Sequence, residues 1–149
     1  MREVKFRAMR EIKFRAWNGY RIIKDEIHRI QFYRNGHWSI IGMEKFNGVN
    51  NLKREYKIAS SYRPDNKAVI MRYTGLKDKN GVEIYEGDIV RATFGKHSKL
   101  NEYGEWTGKI FFNCGSFDID GEWCVALNAL GDTTFEVIGN IYQNAELLE

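Results

Sequence analysis

Proline, cysteine and long apolar runs are all scarce in this sequence, and each shortage narrows what the protein can be. Cysteine occurs only as Cys114 and Cys124, without a Cys-x-x-Cys spacing or a nearby histidine. A structural zinc site needs about four closely spaced ligands, so the sequence predicts no metal site. Both cysteines lie in a predicted hairpin region, where a disulfide is conceivable. Two reduced, partly buried thiols are the favoured expectation for a cytosolic protein.

The sequence also lacks the segments and loops that mark other classes of protein. No run of about 18 apolar residues could span a membrane, and the start lacks the apolar core of a signal peptide, so we expect a soluble, cytoplasmic protein. Neither GxxxxGK[ST] nor GxGxxG occurs, and the histidines are far apart and away from any nucleophile motif. We therefore expect no cofactor, no small-molecule substrate and no catalytic residues.

Aromatic residues and short alternating runs are abundant and favour β-strands. Charge is uneven along the chain. Residues 1–34 carry ten Lys or Arg against four Asp or Glu, and residues 35–149 carry thirteen against sixteen. Such asymmetry indicates contact with nucleic acid or contact between subunits.

The chain begins with a duplication, because residues 1–8 read MREVKFRA and residues 9–16 read MREIKFRA. Strict alternation in both copies predicts a half-buried strand with lysine and arginine on one face. Either an upstream start copied the beginning or the protein carries an extra strand, and we favour Met9 as the ancestral start. Residues 12–16 already supply this strand, so a second copy adds only an edge or a flexible tail, and we expect residues 1–8 to be dispensable for folding.

The run RIQFYRNGHWSII at residues 29–41 predicts a hairpin around Asn35-Gly36. A two-residue type I′ turn there would place Tyr33 opposite Trp38 and Phe32 opposite Ser39. Apolar residues then fall on both faces of the ribbon. A single barrel covers only one face, which favours self-association through the other.

The remaining sequence divides at Pro64, the only proline. Before it, Leu52, Tyr56 and Ala59 could form the apolar stripe of a short helix capped by Asn51. After it, short strands and turns alternate to the end of the chain, which predicts a small β-barrel of the SH3-like size. We therefore predict a mainly β protein with an N-terminal β-ribbon region at 1–66 and an SH3-like barrel domain at 67–149.

Three runs resemble the YopX-like family of phage and prophage proteins. They are MREIKFRAW at 9–17, YTGLKDKNG followed by EIYEGDIV within 73–90, and VIGNIY at 137–142. The resemblance implies a phage or prophage origin in a bacterial host and an SH3-like C-terminal barrel, and it transfers no catalytic residues. Most of the central run specifies the fold. Asn80-Gly81 provides a tight turn, the Asp78 side chain can accept turn amides, and the apolar residues supply core positions. Its signature residues are Tyr73, Thr74, Gly75, Leu76, Asp78, Asn80, Gly81, Tyr85, Gly87 and Asp88.

Two kinds of partner follow from the N-terminal half. The leading interpretation is a non-catalytic accessory protein that acts through self-association or protein binding, and a nucleic-acid-binding module is the alternative. An enzyme with an unrecognised site is a weaker third. The self-association candidates are Phe32, Tyr33, Trp38 and Ile40. The nucleic-acid candidates combine cations for phosphates with a ring for base stacking, and they are Lys5, Arg7, Lys13, Arg15 and Trp17.

Overall fold

The computed structural model describes residues 13–24, 27–45, 53–60, 68–95, 104–121 and 124–149. Within these ranges the regular structure is almost entirely β, as the sequence predicted. Two short 3₁₀ helices occur, at Leu127–Ala129 and Ala145–Leu148. The strands are β1 (Phe14–Trp17), β2 (Ile22–Ile23), β3 (Ile27–Phe32), β4 (Trp38–Lys45), β5 (Lys53–Ser60), β6 (Val69–Lys77), β7 (Glu83–Tyr85), β8 (Asp88–Thr93), β9 (Glu105–Asn113), β10 (Ser116–Asp120), β11 (Cys124–Ala126) and β12 (Thr134–Asn140).

The described strands form three antiparallel sheets, which curl into a half-barrel. Their orders are β2-β1-β6-β7, β3-β4-β5 and β11-β10-β9-β8-β12. The first sheet joins the two halves of the sequence, because β1 pairs with β6 so that Phe14 lies opposite Arg72. The division into domains at residues 66 and 67 stays a prediction.

The main core lies on the five-stranded sheet, where alternation points every second side chain inward. Val90 and Ala92 of β8 are fully buried, as is Ile119 of β10, and the ring centroids of Phe94 and Trp106 are 6.0 Å apart. A second, smaller core joins the other two sheets. In it Ala16 of β1 and Ile40 of β4 are both 0% exposed.

The hairpin between β3 and β4 forms where the sequence predicted it, but its turn type and register differ. The Tyr33 amide donates to the His37 carbonyl at 2.8 Å, and the Gly36 amide donates to the Tyr33 carbonyl at 3.0 Å. Only Gly36 has a positive φ, +80°, so the loop has three residues, with a bulge at the glycine rather than a type I′ turn. The extra residue shifts the register by one position, which places Phe32 opposite Trp38.

The predicted helix around Tyr56 and Ala59 is wrong, because residues 53–60 form strand β5. β5 pairs with β4 over its whole length, from Ser39 opposite Ser60 to Lys45 opposite Lys53. Pairing along this eight-residue partner provides backbone hydrogen bonds for the β5 groups that face β4, which outweighs a weak local helix preference. The proposed cap residue Asn51 and the stripe residue Leu52 lie outside the described residues.

Candidate functional site

The loop after β6 is organised by one buried carboxylate. Asp78 is 7% exposed, and its Oδ1 accepts the amides of Asn80 and Val82 at 2.8 Å. Its Oδ2 accepts the Val137 amide of β12 at 3.1 Å. Burial pushes the pKa of Asp78 upward, but the three amides outweigh it and hold that pKa below its usual value. The prediction that Asp78 satisfies turn amides is confirmed.

The strand that follows places Glu83 at the centre of a polar cluster. The Lys13 and Lys24 ammonium groups lie 2.7 and 2.8 Å from its two carboxylate oxygens. The Tyr85 hydroxyl donates to the same carboxylate at 2.8 Å. These partners, Lys13 foremost, lower the pKa of Glu83 from 4.5 to about 2. Burial and the bond to Glu83 raise the pKa of Tyr85, so its hydroxyl stays protonated.

A second ion pair lies deeper, between Arg15 of β1 and Asp88 of β8. Asp88 is 1% exposed, and its second oxygen accepts the Tyr85 amide at 2.8 Å. Burial raises the pKa of Asp88, although Arg15 and the amide oppose that change. The Arg15 guanidinium also lies 4.8 Å from the centroid of the Tyr85 ring. The ion pair of Arg15 with Asp88 therefore links β1 to the start of β8.

The structure changes the interpretation of the predicted basic face. Lys13 and Arg15 project from the same side of β1, as predicted, but each meets a carboxylate from the C-terminal half of its own chain. Trp17 stacks on Tyr142, with ring centroids 5.8 Å apart and planes 12° apart. The remaining candidates Lys5 and Arg7 lie outside the described residues.

The other residues of the signature run make contacts within the described part of the chain. The Thr74 hydroxyl donates to the Ile84 carbonyl at 2.9 Å, and Tyr73 packs against Tyr85 with ring centroids 5.4 Å apart. Gly87 has a φ of +78°, and an added Cβ there would lie 3.3 Å from the Tyr142 ring. The other members form the end of β6 and the turn after it. They are Gly75, Leu76, Asn80 and Gly81.

A groove of about 780 Å³ opens beside the Glu83 cluster. β3 contributes to one wall, and β1, β6 and β7 contribute to the others. Its polar lining is Lys13, Lys24, Arg29, Glu83 and Tyr85. Its apolar lining is Phe14, Ile27, Ile30, Phe32 and Ile70. This combination suits a ligand that has both apolar groups and negative charge.

The four self-association candidates have different surroundings. Ile40 is fully buried within its own chain, and Trp38 packs against the same small core. Phe32 remains 73% exposed and Tyr33 41% exposed. Only these two keep large accessible surfaces.

Both cysteines are free, and both are exposed rather than partly buried as expected. The Cys124 thiol lies 3.8 Å from an Asp118 oxygen, and local desolvation together with Asp118 raises the pKa of that thiol. A raised pKa disfavours the nucleophilic thiolate. Within the described ranges no three His, Cys, Asp or Glu side chains are grouped to hold a metal ion, and no helix is long and apolar enough to cross a membrane.

Sequence reasoning did not single out Glu83, Lys24 or the Arg72–Glu86 pair. Arg72 donates to the two oxygens of Glu86 at 2.8 and 2.9 Å, and its guanidinium lies 3.8 Å from the Phe112 ring centroid. The sequence held one signal that could have identified Glu83. Residues two apart in a strand share a face, and Tyr85, two residues after Glu83, is a signature residue. The partners Lys24 and Arg72 are distant in sequence from their carboxylates, so no local pattern reveals them.

Comparison with known proteins gives one family. The model of the YopX protein family matches residues 13–149. Protein yopX from Bacillus subtilis, whose X-ray structure is known, is 26% identical in sequence to this chain, and the two structures match with a TM-score of 0.66. The match covers 95% of this chain and 100% of that one. Protein EF1440 from Enterococcus faecalis is 29% identical in sequence, and its crystal structure matches with a TM-score of 0.57. That match covers 93% of this chain and 99% of EF1440. A search of curated proteins found no match. The chain belongs to the YopX family.

Proposed function

We propose that this protein is a non-catalytic accessory protein of a phage or prophage, located in the host cytoplasm, that acts by binding protein chains. The first partner to consider is a second copy of itself. The observation that carries this proposal is the groove, where five apolar side chains lie beside lysine, arginine and tyrosine. We also propose that the half-barrel is of the SH3-like type, because small barrels commonly present binding surfaces of this kind.

The arrangement of β3 supports a protein partner. Among the described strands β3 pairs only with β4, so its other edge has no described strand partner, and four residues of β3 line the groove. An extended segment of another chain could add to such an edge through backbone hydrogen bonds and place alternate side chains against the apolar wall. Phe32, at the end of β3, would supply the largest exposed apolar surface for that contact.

The charges favour protein over nucleic acid. Strong nucleic-acid binding needs several cations free to neutralise phosphates. Here Lys13 and Lys24 share one carboxylate, and Arg15 pairs with buried Asp88. Binding a protein partner requires fewer free cations on this surface than binding nucleic acid does, and it gains more free energy from the apolar lining of the groove.

Light scattering over a concentration series tests self-association. We expect the parent protein to be oligomeric at about 100 μM, a concentration far above the dissociation constant of a standard-size stable interface. Phe32→Asp should shift it toward the monomer. Tyr20→Asp is the matched control, because it adds the same charge at an aromatic residue that is 86% exposed in the turn between β1 and β2. A monomeric parent, or equal effects of the two substitutions, would refute self-association through this surface.

Nucleic-acid binding remains the second candidate because Lys13, Lys24 and Arg29 line the groove together with three aromatic residues, Phe14, Phe32 and Tyr85. If it is correct, engaging about four phosphates predicts a slope of roughly −3 to −4 for log affinity against log salt concentration. Lys24→Ser and Arg29→Ser together should flatten that slope. Absence of binding to single-stranded DNA, duplex DNA and RNA at low salt would eliminate this candidate.

A further inference from the structure

The directions of the backbone groups in β3 follow from the hairpin that ends the strand. The Tyr33 amide donates to the His37 carbonyl, so the backbone of Tyr33 points toward β4. The pairing of β3 with β4 is regular from Arg29 to Phe32, and backbone groups alternate in direction along an antiparallel strand. The amides and carbonyls of Ile30 and Phe32 therefore point away from β4, toward the edge that has no described strand partner.

The side chains of Ile30 and Phe32 lie on the face of β3 that borders the groove. They are opposite Ile40 and Trp38 of β4, which belong to the small core, and both line the groove of about 780 Å³. Phe32 remains 73% exposed, so its own chain leaves most of this ring uncovered. The same short segment therefore offers both backbone groups and an apolar wall to a single partner.

We propose that β3 pairs with β3 of a second copy across a two-fold axis at Gln31. This inference rests on the self-association proposed above and specifies its geometry. A two-fold axis perpendicular to the sheet places Gln31 opposite Gln31 of the second copy and Ile30 opposite Phe32 of the second copy. Because the backbone groups of Ile30 and Phe32 point outward, each such pair can exchange two hydrogen bonds. Phe32 of each copy then enters the groove of the other copy beside Ile30.

The residues of β3 favour this axis over its neighbours. An axis at Arg29 would place two arginines opposite each other, which is destabilising. An axis at Ile30 would bring the irregular start of β3 into the pairing, and an axis at Phe32 would extend the pairing into the turn. The axis at Gln31 avoids all three, and it places Tyr33, which is 41% exposed, opposite Arg29 of the second copy.

Cysteine cross-linking tests the position of the axis. Residues that face each other without mutual backbone hydrogen bonds have Cα atoms about 4.5 Å apart, within the disulfide range of about 4.4–6.8 Å. Cys114 and Cys124 are exposed, so both are first changed to serine. In that background Gln31→Cys should form a covalent dimer under mild oxidation. Tyr33→Cys is the matched control, because two copies of Tyr33 would lie about 13 Å apart along the strands.

Cross-linking of Gln31→Cys without cross-linking of Tyr33→Cys supports the pairing. If light scattering shows an oligomer but neither variant cross-links, or both do so equally, the pairing is overturned while self-association stands. A monomeric parent overturns the pairing and self-association together.

Amide hydrogen exchange gives a second measurement that needs no cysteine in β3, and it decides the matter if Gln31→Cys does not fold. The Ile30 amide should exchange more slowly in the oligomeric parent than in the Phe32→Asp monomer, by more than about tenfold. The Gln31 amide points toward β4 and serves as the control, with similar exchange in both proteins. Equal exchange of the Ile30 amide in the two proteins would overturn the proposal.

Discussion

Neutralising Glu83 should weaken the fold in a way that depends on pH. Glu83→Gln keeps the shape of the side chain and a hydrogen-bond acceptor for Tyr85, but it removes the charge shared by Lys13 and Lys24. The attachment of β1 and of the segment after β2 to β7 should therefore loosen. We expect the substituted protein to unfold at lower urea concentration at pH 7.

The magnitude follows from the pKa of Glu83. Its lowering from 4.5 to about 2 corresponds to about 3 kcal/mol of folding free energy before screening. The side chains of Lys13 and Lys24 are 34% and 46% exposed, so solvent weakens both ion pairs. A loss of about 1–2 kcal/mol at pH 7 remains after that correction.

The direction of the pH dependence is fixed by the lowered pKa. A carboxylate with a depressed pKa in the folded state stabilises the protein fully above the unfolded pKa, near 4.5, and this contribution is lost as pH falls through the folded pKa, about 2. The gap between parent and Glu83→Gln should thus be constant near neutral pH and close between about pH 4.5 and 2.

Urea unfolding followed by circular dichroism at several pH values measures this gap. Glu146→Gln is the matched control, since Glu146 is an exposed carboxylate in the C-terminal 3₁₀ helix. It should leave stability within about 0.5 kcal/mol of the parent. A Glu83→Gln protein as stable as the parent at pH 7, or a gap that persists undiminished at pH 2, would refute the assigned role of the carboxylate.

Three further comparisons, which use four substitutions, test neighbouring contacts through the midpoint of urea unfolding. Asp78→Ala leaves three amides without their acceptor and should cost about 2–4 kcal/mol; no loss would contradict its role in the turn. Gly87→Ala should destabilise more than Gly81→Ala, because both have positive φ but only the first meets the Tyr142 ring, and equal losses would show that backbone strain alone matters. Trp17→Leu should cost about 1–2 kcal/mol by removing the stack on Tyr142, and an unchanged midpoint would contradict that contact.

The sequence by itself determined the secondary structure class and the place of the β3–β4 turn, although not the type of that turn. Alternation of apolar and polar residues is a local property, and it predicted the β-strands around Phe14 and Val90 correctly. Asp78 was also predictable, because an aspartate at the start of a turn bonds amides that follow it within a few residues. The family was recognisable from the same local runs.

Tertiary structure alone decided which partners the charged side chains contact and whether a weakly patterned segment forms a helix or a strand. Local pattern placed Lys13 and Arg15 on one face of a strand but could not show that Glu83 and Asp88, about seventy residues away, meet them there. Pairing with β4 turned residues 53–60 into a strand against a weak helix preference. Both outcomes depend on interactions between distant segments, whose free energies exceed the small local propensities that a sequence displays.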